Sequence, residues 1–120
     1  MRAHLPLLVD AILSSSIERI DFRKHPQLGP DLGLVLGRAL IFPECRLTDL
    51  FLFNTSLGDV GASYLANALK SNATMTKLNL CDNGITALGA KHLSEMLLQN
   101  KTLKVLEYAL FPFACVSSTA

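Results

Sequence analysis

Three cysteines, three histidines and the phenylalanines at 51 and 53 are the residues from which this chain could build chemistry. Cys45, Cys81 and Cys115 each stand more than thirty positions from the next. That spacing matches no zinc pattern, and an odd count argues against a complete disulfide framework. Reduced thiols in a cytosolic or nuclear compartment are the simplest account, and the location expected is cytoplasmic. Cys81 is expected on an exposed strand face beside Asp82, where the carboxylate disfavours a thiolate and no histidine is near in sequence to act as base. His4, His25 and His92 are scattered over the start, a loop and a helix, and form no convergent set. Gly58-Asp59-Val60-Gly61 spaces two glycines as a phosphate loop does, but no Walker lysine follows. The sequons at Asn54, Asn72 and Asn100 read as accidental, the last two coinciding with a repeated helix end. No catalytic residue, cofactor-binding residue or metal ligand is assigned, and the expectation is a protein that is not an enzyme and uses no cofactor.

Composition points the same way. Half of the 120 residues are apolar, 18% are charged and the formal net charge is +1, which excludes intrinsic disorder and offers no basic field for nucleic acid or anionic lipid. The expected partner is a protein, with no nucleic acid and no membrane. No stretch approaches the roughly 20 apolar residues of a transmembrane helix. Met1-Arg2 with Leu5-Pro6-Leu7-Leu8-Val9 faintly has the look of a signal peptide, but Asp10 interrupts the apolar run. Leu5, Leu8, Val9, Ile12 and Leu13 share one helical face, the pattern of a packed amphipathic helix.

The elements that must position these residues come from an internal repeat. Leu47-Thr48-Asp49-Leu50-Phe51-Leu52, Met75-Thr76-Lys77-Leu78-Asn79-Leu80 and Leu103-Lys104-Val105-Leu106-Glu107-Tyr108 all read apolar-x-x-apolar-x-apolar, and successive copies begin 28 residues apart. Between them Leu57 maps on Ile85, Gly61-Ala62 on Gly89-Ala90, Leu65 on Leu93, Leu69 on Leu97 and Asn72 on Asn100. A weaker copy begins at Ile17-Glu18-Arg19-Ile20-Asp21-Phe22, with a shifted helix at Leu32, Leu36 and Leu40. Each unit has an alternating half, a strand with one apolar face, and a half with helical spacing. Gly61 and Gly89 permit a turn or a close approach to the strand. Asn72 and Asn100 are placed as left-handed caps. Such a unit cannot bury its apolar faces alone, whereas stacked copies can.

Met75-Thr76-Lys77-Leu78-Asn79-Leu80-Cys81-Asp82-Asn83-Gly84-Ile85, followed by Leu88-Gly89-Ala90-Lys91-His92-Leu93 and Leu97-Leu98-Gln99-Asn100, resembles the ribonuclease-inhibitor-like subtype of leucine-rich repeat. The resemblance covers 47–108 closely and 5–46 loosely. It implies an α/β fold, a leucine-rich-repeat solenoid with a curved parallel sheet on the concave side and helices on the convex side. The division expected is a solenoid over 1–110, in about four irregular units (17–46, 47–74, 75–102 and a partial 103–110), and a non-repeat tail over 111–120. The resemblance also implies that Asn83 bonds the loop backbone of the next repeat. Thr55, His25 and Phe111 stand at the corresponding positions; threonine can partly substitute and phenylalanine cannot. No polar cap is evident at either end, so the isolated chain is expected to be marginal or to self-associate through its uncapped ends.

Aligned units give four rungs on the exposed strand face: Arg19, Asp21, Arg23; Asp49, Phe51, Phe53; Lys77, Asn79, Cys81; and Val105, Glu107, Ala109. Aromatic side chains on a polar surface are usual interface anchors. Phe51 and Phe53 are therefore the leading candidates for partner binding, with Asp49, Lys77, Asn79, Arg19, Asp21, Arg23 and Glu107 around them. The function expected is a protein–protein interaction module, a scaffold or the recognition part of a larger assembly. The alternative is regulation of an enzyme, GTPase-activating or ribonuclease-inhibitor-like, or the ligand-sensing repeats of a NACHT-type receptor.

Overall fold

The computed structural model describes residues 5–112 and 115–119. Its elements are α1 (Leu5–Ser14), β1 (Arg19–Asp21), α2 (Pro30–Leu40), β2 (Asp49–Phe51), α3 (Gly58–Leu69), β3 (Lys77–Asn79), α4 (Ala87–Gln99), β4 (Val105–Tyr108) and β5 (Val116–Thr119). The strands lie in one sheet in chain order. β1 to β4 run parallel, each reached through a helix that packs on the same side. The result is an α/β repeat fold.

Strand register follows the alternation of side chains. Leu50, Leu78 and Leu106 stack in one buried row, with Ile20 beside them. Because the side-chain period of a strand is two, their neighbours on either side must point away from the core. Leu47, Leu52, Met75, Leu80 and Leu103 close the core at the strand ends, against Leu32, Leu36 and Leu40 of α2, Leu65 and Leu69 of α3, and Leu93 and Met96 of α4. At the N-terminal side α1 lays Leu5 and Ile12 on the same core, with Leu8, Val9 and Leu13 packed alongside. The face read from the sequence is the one that packs.

The repeat glycines serve the approach between neighbouring units. A Cβ on Gly33 would stand 2.9 Å from the Gly61 Cα and 3.0 Å from its carbonyl carbon, so α2 and α3 touch backbone to backbone there. A Cβ on Gly61 would meet the Leu57 side chain at 2.9 Å. The approach is therefore to the neighbouring helix and the preceding loop, not to the strand.

Asparagines join the units, and here two expectations are corrected. Asn72 and Asn100 are not left-handed caps: Asn100 is extended at φ −76° and ψ 131°, and Asn72 has no positive φ. Both are buried and bridge units. Asn72 Nδ2 donates to the Leu40 carbonyl (2.9 Å) while its Oδ1 accepts from the Thr74 and Met75 amides. Asn100 repeats this one unit on, donating to Leu69 (2.7 Å) and accepting from Thr102 and Leu103. A carbonyl at a helix end lacks its intrahelical partner, and these amides supply one. Asn83 bonds the loop of the preceding unit, not the next. Its Oδ1 accepts from the Thr55 and Leu57 amides at 3.1 and 3.0 Å, and its Nδ2 donates to the carbonyls of Leu52, Leu80 and Cys81. Thr55 does stand in at its own position, fully buried, with its hydroxyl 2.9 Å from the Leu52 carbonyl. Phe111 takes no such place and is 68% exposed.

The uncapped C-terminal end is a third correction. β5 runs antiparallel along the outer edge of β4, pairing Val105 with Thr119 and Tyr108 with Val116. β5 lies in the segment read from the sequence as a non-repeat tail, and its pairing satisfies the backbone of the last repeat strand, the position where an open edge would invite another chain. The spacing argument missed it because an antiparallel return has no 28-residue signature.

Candidate functional site

The face of the sheet opposite the helices carries the residues singled out from the sequence. Register places Arg19, Asp49, Lys77 and Val105 in one row and Asp21, Phe51, Asn79 and Glu107 in the next. The structure brings this set together as a single surface. Arg19 and Arg23 hold their guanidinium carbons 5.2 and 5.5 Å from the centre of the Phe51 ring, within cation–π range. Arg23 also forms a forked pair with Asp21, Nε–Oδ1 2.9 Å and Nη2–Oδ2 2.7 Å, and its own amide donates to the same carboxylate. Those bonds from Arg23 hold the Asp21 carboxyl below the usual carboxylate range, and Asp21 in turn raises the Arg23 guanidinium. Arg19 reaches Asp49 at 3.9 Å. Phe51 is thus half-buried under two arginines, each tethered by a carboxylate.

Phe53, also half-buried, lines an open cleft of about 610 Å³ with Asp21, Arg23, Lys24 and Asn79. Lys24 was not picked out from the sequence. It stands at the strand exit in the left-handed region (φ 64°), as Asn54 (φ 55°) and Asp82 (φ 59°) do in the next two units. The signal that could have found it is that shared position, where asparagine and aspartate are tolerated and lysine is unusual.

The third member of each rung lies beyond the regular strand and behaves differently along the sheet. Arg23 is exposed and Phe53 half-buried, but Ala109 and Cys81 are buried. Cys81, expected as an exposed reduced thiol, is 2% exposed and paired with Cys115 as a disulfide, their Cα atoms 5.4 Å apart. The reason is the return of β5, which carries Cys115 back over the end of β3. Glu107 joins them: its carboxylate and the two sulfurs all lie within 4.8 Å of one another. Cys45 is free and buried, and burial pushes its thiol up, partly offset by the Leu47 amide.

The remaining chemistry-bearing residues stay apart. His25 is exposed in the loop after β1, its ring 3.4 Å from the Gln27 amide. His92 sits half-buried on α4, near Asp59. His4 lies outside the described residues, as do Phe113 and Ala114. Asp59 has a structural task at the start of α3. It accepts from the Thr86 amide (2.8 Å), the Thr86 hydroxyl and the Gly89 amide (2.9 Å), capping the first turn of α4. Among the described residues no helix is long and apolar enough to cross a membrane.

No family model matches the chain. Over 78 residues, 65% of its length, it is 38% identical to the centrosomal protein of 78 kDa of Mus musculus and 37% identical to that of Homo sapiens. It spans only about a tenth of those curated relatives, 9% and 10% of their lengths. The solved structure of leiomodin-1 actin-binding site 2 (ABS2) superposes on 94% of the chain with a TM-score of 0.79 at 26% identity, and the chain covers 64% of it. The chain is therefore similar to a stretch of a centrosomal protein in sequence and to an actin-binding site of leiomodin-1 in fold.

Proposed function

We propose that the chain is a protein-interaction module, a short leucine-rich-repeat solenoid of the ribonuclease-inhibitor-like subtype that receives a partner on its open strand face and catalyses nothing. The observation that carries this reading is the surface around Phe51 and Phe53, two aromatic rings within a charged rim and beside an open cleft. That layout is common to interfaces, where a few aromatic and arginine side chains supply most of the affinity. The fold-level similarity to an actin-binding site of leiomodin-1 supports a protein partner. The asparagine bridges, Asn72 and Asn100 at the ends of α3 and α4 and Asn83 beneath the loops, support the subtype. A cytoplasmic setting, as part of a centrosomal or other scaffold, accords with the relatives' printed name.

The test is affinity capture with the intact chain, its Phe51→Ser variant and its Lys91→Ala variant, the last changed on an exposed position of α4. A partner held by the first and third chains and lost by the second, with unchanged circular dichroism, supports the reading. A partner held equally by all three places recognition elsewhere and overturns it.

A further inference from the structure

We propose that Cys81, Cys115 and Glu107 form, once the two cysteines are reduced, a binding site for a borderline-soft divalent cation of the zinc type. Three elements converge to build it. Cys81 follows β3, Glu107 lies on β4 opposite Asn79 and two positions short of Cys81 in register, and Cys115 precedes β5. The β5 pairing sets Glu107 against Ser117, which places Cys115 back at the end of β3. The outcome is two sulfurs and a carboxylate oxygen mutually within 4.8 Å. Zinc–sulfur and zinc–oxygen bonds of about 2.3 and 2.1 Å in a tetrahedron set ligand atoms roughly 3.6–3.8 Å apart, so the two sulfurs, bonded to each other here, must separate on reduction to take up the cation.

The first ligand stands on a braced turn. The Cys81 amide donates to Asn79 Oδ1 (3.0 Å) and its carbonyl accepts from Asn83 Nδ2 (3.1 Å), so the backbone on both sides of the sulfur is fixed before any cation arrives. Preorganisation of that kind lowers the cost of binding. The ligand types choose the ion. Two thiolates and one carboxylate suit zinc or cobalt, whereas magnesium and calcium require an oxygen set. Three protein ligands leave a fourth tetrahedral position for water or a partner's side chain. The disulfide and the cation site are alternative states of the same pair. A phosphine gives the disulfide two electrons and becomes its oxide, with water supplying the oxygen and the two protons of the resulting thiols, and binding of the cation releases those two thiol protons. In the metal-bound state β5 is held to the repeats by coordination.

The experiment uses the full chain kept reduced with a phosphine, freed of metal with a chelator, then titrated with Co²⁺ and separately with Zn²⁺. The expected result is one ion per chain by elemental analysis, with a thiolate-to-cobalt charge-transfer band in the near ultraviolet. Cys115→Ser, at an exposed position, and Cys81→Ser should each weaken binding by more than about a hundredfold, and Glu107→Gln by about tenfold or more. Cys45→Ser should leave binding unchanged. Cys115→Ser decides the matter where the buried Cys81→Ser fails to fold. A reduced chain that retains no ion and only reoxidises overturns the proposal, as does a bound ion without the charge-transfer band or a band that survives Cys115→Ser.

Discussion

Single side chains divide sharply between those that hold the repeats together and those that face outward. Asn83 makes hydrogen bonds to two units from a buried position, and its removal takes the acceptor from the Thr55 and Leu57 amides and the Asn83 donor from the Leu80 carbonyl, while the Leu52 and Cys81 carbonyls keep the Thr55 hydroxyl and the Asn54 amide. Each such loss costs about 1–3 kcal/mol, so Asn83→Ala is expected to destabilise the chain by roughly 3 kcal/mol or more, read from the urea midpoint. Leu80 is fully buried at the end of β3, and Leu80→Ala should cost about 2–5 kcal/mol by the same measurement. A cost below about 1 kcal/mol would mean that the residue does not face the core. Phe51 belongs to the other class. Its ring lies beneath Arg19 and Arg23 rather than among the leucines, so Phe51→Ser should leave the melting transition nearly unchanged and weaken a partner by about 1–3 kcal/mol.

Helix α4 depends on its neighbour for its first turn. Asp59, from α3, supplies the acceptor for Thr86 and Gly89. Burial alone would raise its carboxyl, but the bonds from the Thr86 hydroxyl, the Thr86 amide and the Gly89 amide, with the nearby His92, prevail and hold it below 3.8. A carboxyl depressed in the folded state contributes stability that is complete above its unfolded value near 3.9 and is lost as pH falls through the lower folded value. The urea midpoint should therefore drop as pH falls below the unfolded carboxyl value, about 3.9. Asp59→Asn should lower stability at neutral pH and make that acid dependence shallower. An identical acid profile in wild type and variant would show that the α3–α4 cap contributes nothing.

At the scale of the whole molecule the sheet has two different ends. α1 covers the first unit on its helical side, and β5 occupies the edge left by β4. With that edge filled, sedimentation across a dilution series should give a mass independent of concentration, contrary to the expectation from the repeats alone. A chain ending at Pro112 leaves the β4 edge unpaired and should gain mass with concentration. Equal behaviour of the two chains would show that β5 protects nothing.

The periodic part of this architecture was legible in the residue order. Leucines at fixed spacing, 28 residues apart, specify which strand positions point inward, because a strand alternates faces and a one-residue slip would expose every leucine. Leu50, Leu78 and Leu106 stack as that argument requires, and the outward row of Arg19, Asp49 and Lys77 follows from the same alternation. Contacts without a period were not legible. The arginines over Phe51 depend on side-chain rotamers and on a carboxylate two residues away. The direction of the Asn83 bonds depends on how closely one loop settles on the other. The pairing of Cys81 with Cys115 depends on a strand that reverses direction after the repeats end. Local periodicity determines which face of an element is buried; only the packed chain decides which residues far apart in sequence meet at its end.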